Sequence, residues 1–144
     1  MNHVNNAKEL YEQGFYCSQA VLAAFADELG LTEKQALQVG SCFGGGMCKG
    51  EVCGACTGAL MVLGMKYGRD KADDWDSQMK ANNIAVRFLE QFRKENGSYI
   101  CNELLGCDIA APEGKAYARE QKLFAEFCPK MVASAVEILE QLIK

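Results

Sequence analysis

Apolar residues recur at intervals of three and four along most of the chain, the spacing that places side chains on one face of an α-helix. Sustained alternation of apolar and polar residues, which is typical of strands, does not occur. The pattern therefore predicts an all-α fold, a single compact multi-helix domain over residues 1–144. The predicted helices run from Val4 to near Gly14, Cys17 to Gly30, Thr32 to near Gly40, Gly54 to Tyr67, Asp73 to Glu95, Cys101 to Leu105, Pro112 towards Phe127, and about Pro129 to Ile143.

Turn and cap residues support several of these limits. Thr32 followed by Gln35 has the form of a capping box, Gly30 is a plausible residue to end a helix, and Ser98 is placed to cap the short helix at Cys101. The predicted core takes in large apolar side chains at helical spacing: Tyr16, Phe25, Met61, Met65, Trp75, Met79, Val86, Phe88, Leu89 and Phe92.

The composition of the chain argues against several classes of function. The net charge is −4 and the basic residues are scattered, which argues against nucleic-acid binding, since this needs a basic stripe. The longest apolar stretch, residues 55–65, is interrupted by Thr57 and two glycines and is too short to span a bilayer. No signal peptide precedes the first helix, so we predict a cytoplasmic protein without membrane insertion.

Histidine is nearly absent. The single one, His3, falls in a predicted frayed N-terminus. Histidine-rich zinc sites, HExxH helices and Ser-His-Asp triads are therefore excluded, and cysteine is left as the main candidate for chemistry.

Four of the eight cysteines lie within fifteen residues, in the predicted Gly/Cys-rich loop: Cys42, Cys48, Cys53 and Cys56. Thiolates are both soft metal ligands and nucleophiles. Glycines between them, including the run 44–46, permit close approach of other groups. The glycine run lacks the GxxxxGK motif of a phosphate-binding loop and is interpreted as a tight turn or a clearance for packing.

Cys53 and Cys56 form a CxxC pair at a predicted helix N-terminus, where the helix dipole lowers a thiol pKa. This arrangement indicates a dithiol oxidoreductase, with Cys53 and Cys56 as catalytic residues. The spacing Cys48-x4-Cys53-x2-Cys56 is, alternatively, that of plant-type [2Fe–2S] ferredoxins, with Cys101 or Cys17 as a fourth ligand. Taken one at a time, Cys17, Cys101, Cys107 and Cys128 are more readily explained as small buried apolar residues than as parts of a site, whereas the reverse holds for the cluster at 42–56.

Several segments together resemble the C-GCAxxG-C-C family, whose members are associated with redox activity. The matching segments are YCSQAV at 16–21, FGGGM at 43–47, EVCGACTGA at 51–59, CNELLGCD at 101–108 and CPK at 128–130. The central motif reads CGAxxG here, with Cys and Gly in the opposite order to the family's name. The chain also departs from the family pattern in having cysteine at 42, 48 and 56.

The resemblance implies a small helical protein whose four family cysteines correspond to Cys17, Cys53, Cys101 and Cys128. Cys107 matches a position that is often cysteine. Related domains occur in multihaem cytochromes that hold an iron–sulfur cluster, so the resemblance adds support for a cluster here.

Three hypotheses follow. The first is an iron–sulfur cluster, such as [2Fe–2S], bound by Cys17, Cys53, Cys101 and Cys128, with Cys48, Cys56 and Cys107 as alternate ligands. The second is thiol–disulfide exchange, with Cys53 as the attacking thiol. The third is a structural zinc site in a helical binding module. The protein would have an unidentified redox partner, and its small-residue helix faces also allow a homo-oligomer.

Overall fold

The computed structural model describes residues 2–143, and over that range the chain is helical with no β-strand, which confirms the all-α prediction. Two residues, Val52 and Ile100, form an isolated antiparallel β-bridge. The helices are α1 His3–Glu12, α2 Cys17–Ala24, α3 Ala26–Leu29, α4 Glu33–Gly40, α5 Gly54–Tyr67, α6 Trp75–Asn96, α7 Cys101–Leu105, α8 Pro112–Glu120, α9 Leu123–Glu126 and α10 Cys128–Leu142.

Helix α2 lies at the centre of the fold. It packs most extensively on α5, and α1, α4 and α10 also contact it. The close approach of α2 and α5 depends on Gly58, since a Cβ there would lie 2.7 Å from the carbonyl oxygen of Ser18. The largest buried side chains, Phe25, Phe88 and Phe92, fill the space between these helices and α6.

Local capping signals correctly predicted several helix ends. The side chain of Thr32 accepts from the Gln35 backbone N–H and Gln35 returns the bond, the predicted capping box. Gly30, Gly97 and Gly106 end α3, α6 and α7 in the left-handed region. That region costs glycine little because it has no Cβ.

Two predicted helices are interrupted. The first breaks at Phe25, where φ is −106°, so that α2 and α3 are separate. The second breaks before α9 because Lys122 adopts a positive φ of 58°. Ser98 does not cap α7; instead its hydroxyl accepts from the Ile100 N–H, and Ile100 is the N-cap residue.

The buried face of α6 was predicted correctly only in part: Phe88 and Phe92 are buried as predicted, but three other residues are not. Trp75, Met79 and Val86 are 60%, 52% and 59% exposed. At about 100° per residue they share a face opposite Ile84 and Phe88, which are buried. Two further residues predicted to be core are also exposed, Tyr16 and Met65.

His3 is not frayed, contrary to the sequence prediction. It opens α1, its ring stacks on Phe25 with centroids 4.0 Å apart, and its Nδ1 lies 2.9 Å from a carboxylate oxygen of Glu140. Its Nε2 bonds to Glu28. These contacts fix α1 to α3 and α10. None of the helices in residues 2–143 has the length and apolar character needed to cross a membrane.

Candidate functional site

Four cysteines from distant parts of the chain line one cavity of about 510 Å³: Cys17, Cys53, Cys101 and Cys128. Each lies where a helix begins. Cys17, Cys101 and Cys128 are the first residues of α2, α7 and α10, and Cys53 is the N-cap of α5. Free backbone N–H groups and the positive end of the helix dipole favour negative charge at such positions.

The β-bridge brings Cys53 and Cys101 together. The Cys53 N–H donates to the Tyr99 carbonyl at 2.8 Å, and the Cys101 N–H donates to the Glu51 carbonyl at 2.5 Å. Residues nearly fifty positions apart in sequence are thereby held side by side by backbone bonds. This pairing gives no helical or strand periodicity that a sequence pattern could reveal.

Glycine residues allow α2 and α5 to pack closely beside the cavity. A Cβ at Gly54 would lie 3.3 Å from the Cβ of Cys17, and one at Gly44 would overlap the Tyr16 ring. The glycine run is therefore a clearance for packing, as predicted. The two cysteines at the starts of α2 and α5 line the same cavity.

The segment after Gly44 makes a left-handed turn. Gly45, Gly46, Met47 and Cys48 have φ of 64°, 61°, 59° and 63°. For residues with a Cβ this region costs about 1–2 kcal/mol each. The turn leaves Cys48 exposed at the rim of the cavity.

Cys53 is held as the more acidic thiol of the CxxC pair. The neighbouring Cys56 thiol and the N–H groups of Ala55 and Cys56 lower the pKa of Cys53, overcoming the opposing effect of its burial. Burial and the proximity of Cys53 raise the pKa of Cys56 above its ordinary value. Cys56 is fully buried and lies behind Cys53, outside the cavity lining.

A second pair, Cys17 and Cys128, shows the same asymmetry. The Cys17 thiol, followed by the Tyr11 hydroxyl, lowers the pKa of Cys128. The same contact raises the pKa of Cys17, with burial and the other cysteines adding to the shift. Both side chains are half-buried, so this pair is more open than Cys53 and Cys56.

Cys101 has no such partner. Burial, followed by the nearby Cys53, Cys128 and Cys107, raises the pKa of Cys101 to about 12. It is therefore a neutral thiol in the wall of the cavity. Cys107 is half-buried beside it, and Cys42 is exposed outside the cavity lining.

All eight cysteines are free thiols. The structure gathers the four cysteines of the predicted ligand set, together with Cys48, around one cavity, whereas Cys56 and Cys107 lie outside its lining. Within residues 2–143, no three Cys, His, Asp or Glu side chains are arranged so as to hold a metal ion. The donors match soft-metal chemistry, but as they stand their positions do not form a coordination site.

Sequence reasoning missed three residues of the site. Tyr11 from α1 has its hydroxyl 2.6 Å from the Phe124 carbonyl and close to Cys128. Lys115 and Arg119 from α8 line the mouth of the cavity. Their i, i+4 spacing indicates that they share a helix face, but no pattern in the chain indicates what that face covers.

The fold and the site define a small helical protein with a thiol-lined cavity. The chain belongs to the family described as "Putative redox-active protein (C_GCAxxG_C_C)", whose model matches residues 15–142. The matched range contains all four cysteines that the sequence resemblance identified. No curated protein and no solved structure matches the chain significantly.

Proposed function

We propose that this protein carries out thiol–disulfide exchange in the cavity, with Cys53 and Cys128 as attacking thiolates and Cys56 and Cys17 as their resolving partners. The observation that carries the proposal is the arrangement of two cysteine pairs at the cavity, in each of which the thiol that is favoured as a thiolate, Cys53 or Cys128, lines the cavity. The thiolate is the reactive form of cysteine, and a neighbouring thiol completes a dithiol couple.

The exchange balances without any further group. The Cys128 thiolate, whose own proton has passed to water, attacks one sulfur of a disulfide RSSR, the S–S bond breaks, and the RS⁻ that leaves takes a proton from water. Cys17 then loses its proton and attacks the Cys128 sulfur of the mixed disulfide, which releases the second RS⁻, and this RS⁻ takes up the proton that Cys17 lost. Counted from the dithiol form, the protein gives up two electrons and two protons, and RSSR becomes two RSH. The same steps apply to Cys53 and Cys56.

The two cysteine pairs differ in their exposure to solvent. Cys17 and Cys128 are half-buried, whereas Cys53 is 5% exposed and Cys56 is fully buried. The Cys17–Cys128 pair is therefore the outer couple, which meets disulfides that enter the cavity. The Cys53–Cys56 pair is the inner couple, with Cys53 close enough to Cys128 that negative charge on Cys128 opposes the ionisation of Cys53.

Stopped-flow kinetics with a small neutral disulfide test this proposal. We expect Cys128→Ser to slow the first reaction of the reduced protein at least about tenfold, because serine supplies no thiolate. Cys42→Ser is the matched control, since Cys42 is exposed and outside the cavity. A Cys53→Ser, Cys128→Ser double variant that reacts as fast as the Cys42 variant would rule the proposal out.

An iron–sulfur cluster is the second candidate, supported by the four soft donors that line one cavity. Cys17, Cys53, Cys101 and Cys128 would hold it, and it would supply one-electron transfer. Because these thiols are not arranged as a coordination site, binding would require their side chains to move together.

Cys101 distinguishes the two candidates. Cys101 would be a ligand of the cluster, but it has no role in the exchange. Its thiol is neutral, and it belongs to neither of the two cysteine pairs. Anaerobically purified protein, reconstituted with iron and sulfide, would bind both and absorb visible light if the cluster forms, and Cys101→Ser would abolish this. Colourless, iron-free protein with exchange intact in Cys101→Ser would reject the cluster, and zinc in the same metal assay would favour a structural metal site.

A further inference from the structure

The mouth of the cavity carries positive charge. Lys115 and Arg119 lie four residues apart on α8 and line the same opening as the cysteines. No Asp or Glu is among the residues that line it. This is notable in a chain with 19 acidic and 15 basic residues, where carboxylates are the commoner charged groups.

The two cations are not engaged by the protein. In the part of the chain that the structure describes, neither Lys115 nor Arg119 has a carboxylate within 4.0 Å, and neither donates a side-chain hydrogen bond. Both residues are exposed at the rim. Their donors are therefore free to bind an incoming group, and an arginine fork suits a carboxylate particularly well.

The fold holds α8 at this position. Gly114, between Pro112 and Lys115, packs so closely on the Asp108 carbonyl that a Cβ would overlap it. The Asp108 side chain in turn accepts from Asn102 in α7 at 3.0 Å. The basic face of α8 is thereby tied to the helix that carries Cys101.

The rest of the cavity wall is largely apolar. Phe15, Phe124, Phe127 and Leu105 line it together with the cations and the sulfurs. A ligand that fits this combination of surfaces has a charged acidic end, an apolar body and a group that reacts with thiolates.

We propose that the cavity takes small disulfides that carry a carboxylate, with the carboxylate held by Lys115 and Arg119 and the S–S bond presented to the cysteines below. This inference rests on the proposed exchange function for its chemistry and adds the class of substrate. The exchange itself follows the balanced steps given above.

Three aliphatic disulfides of similar size test the charge preference: dithiodipropionate with two carboxylates, bis(2-hydroxyethyl) disulfide with no charge, and cystamine with two ammonium groups. Each rate is divided by that of a simple free thiol, which removes intrinsic reactivity. We expect the normalised rate for dithiodipropionate to exceed that for the neutral disulfide about tenfold, and cystamine to be the slowest.

The variant Lys115→Gln, Arg119→Gln should lose this preference, so that the normalised rates for dithiodipropionate and the neutral disulfide become about equal within the variant. Lys34→Gln, Lys94→Gln is the matched control, because it removes the same charge from exposed sites outside the cavity. An equal preference in the cavity variant and the wild type, or an equal loss in the control, would overturn the inference.

A measurement that does not depend on disulfide exchange separates the carboxylate-site proposal from the exchange proposal. Suberate has two methylenes in place of the sulfurs of dithiodipropionate, and it should slow alkylation of Cys128 in the wild type but not in the cavity variant. If suberate protects Cys128 and no disulfide reacts, the exchange proposal fails and the carboxylate site stands. If the neutral disulfide reacts, and neither charge preference nor protection is seen, the carboxylate site is rejected and the exchange stands.

Discussion

At the residue scale, the Tyr11 hydroxyl has one proton and lies close to two groups that can accept it, the Phe124 carbonyl and the Cys128 sulfur. The proton is donated to the Phe124 carbonyl at 2.6 Å, and when it is donated to Cys128 instead it stabilises the Cys128 thiolate. Burial, followed by the nearby cysteines, raises the pKa of Tyr11, so the hydroxyl keeps its proton over the working range of pH. Tyr11 is therefore a permanent donor that can turn towards Cys128 when that thiol ionises.

We expect Tyr11→Phe to raise the pKa of Cys128, because one of the two donors to its thiolate is removed. Alkylation of Cys128 should then slow a few-fold at neutral pH and match the wild-type rate at alkaline pH, where the thiol is ionised in both proteins. The measurement is the rate of alkylation against pH, resolved by peptide mass spectrometry.

Tyr16→Phe is the control for that experiment, since Tyr16 also lines the cavity but is exposed and is not a donor to Cys128. The same pH profile in Tyr11→Phe and Tyr16→Phe would show that Tyr11 has no specific role.

At the scale of the elements, the contact between α2 and α5 sets the shape of the site. It places Cys17 next to Cys53 and is closest at Gly58, against the Ser18 backbone. The neighbouring Ser18 hydroxyl is buried and donates to the Gly40 carbonyl at 2.7 Å, which extends the contact to α4. Backbone is less able to move aside than the end of a side chain, so this contact tolerates little added volume.

Two glycines of α5 give opposite predictions. Gly58→Ala should lower the free energy of unfolding by about 2 kcal/mol, because the added methyl would overlap α2. Gly64→Ala should raise it by about 0.5–1 kcal/mol, because Gly64 lies in the same helix with nothing within 4 Å of its Cβ position, and alanine favours the helix.

Urea unfolding of the reduced proteins measures both changes. Equal effects of the two substitutions would contradict the close packing of α2 on α5. Disulfide-exchange rates in Gly58→Ala should also fall, since Cys17 and Cys53 would be moved apart.

At the scale of the whole molecule, opposite shifts in the thiol pKa values shape the dependence of stability on pH. Unfolded cysteine ionises near about pH 8.5. Cys53 and Cys128 have lowered pKa values, so their contribution is present above that pH and is lost as the pH falls. Cys17, Cys56 and Cys101 have raised pKa values, so their contribution is present below it and is lost as the pH rises.

The free energy of unfolding of the reduced protein should therefore decline as the pH rises above about 8.5. Cys101→Ala should make that decline shallower by up to about 1.4 kcal/mol per pH unit, the value for one proton. Urea unfolding at several pH values under reductant measures the slope. An unchanged slope in Cys101→Ala would show that Cys101 ionises normally in the folded protein.

The helices could be predicted from the sequence, because capping residues and apolar spacing are local signals. The four family cysteines were identified by the resemblance to the family and by no local pattern. The buried face of α6 could not be predicted in full, since Trp75, Met79 and Val86 form an apolar face of their own opposite Ile84 and Phe88. The full site could not either. The β-bridge that joins Cys53 to Cys101, and the placing of α8 over the cavity, depend on contacts between distant segments that leave no periodic pattern.

The most direct test of the account is a disulfide map of the protein after oxidation by a small disulfide, made by peptide mass spectrometry with the remaining thiols alkylated. The account predicts two intramolecular disulfides, Cys17–Cys128 and Cys53–Cys56, with Cys101 free. Oxidised protein in which Cys17, Cys53, Cys56 and Cys128 stay reduced, while only the exposed Cys42 and Cys48 are linked, would contradict it.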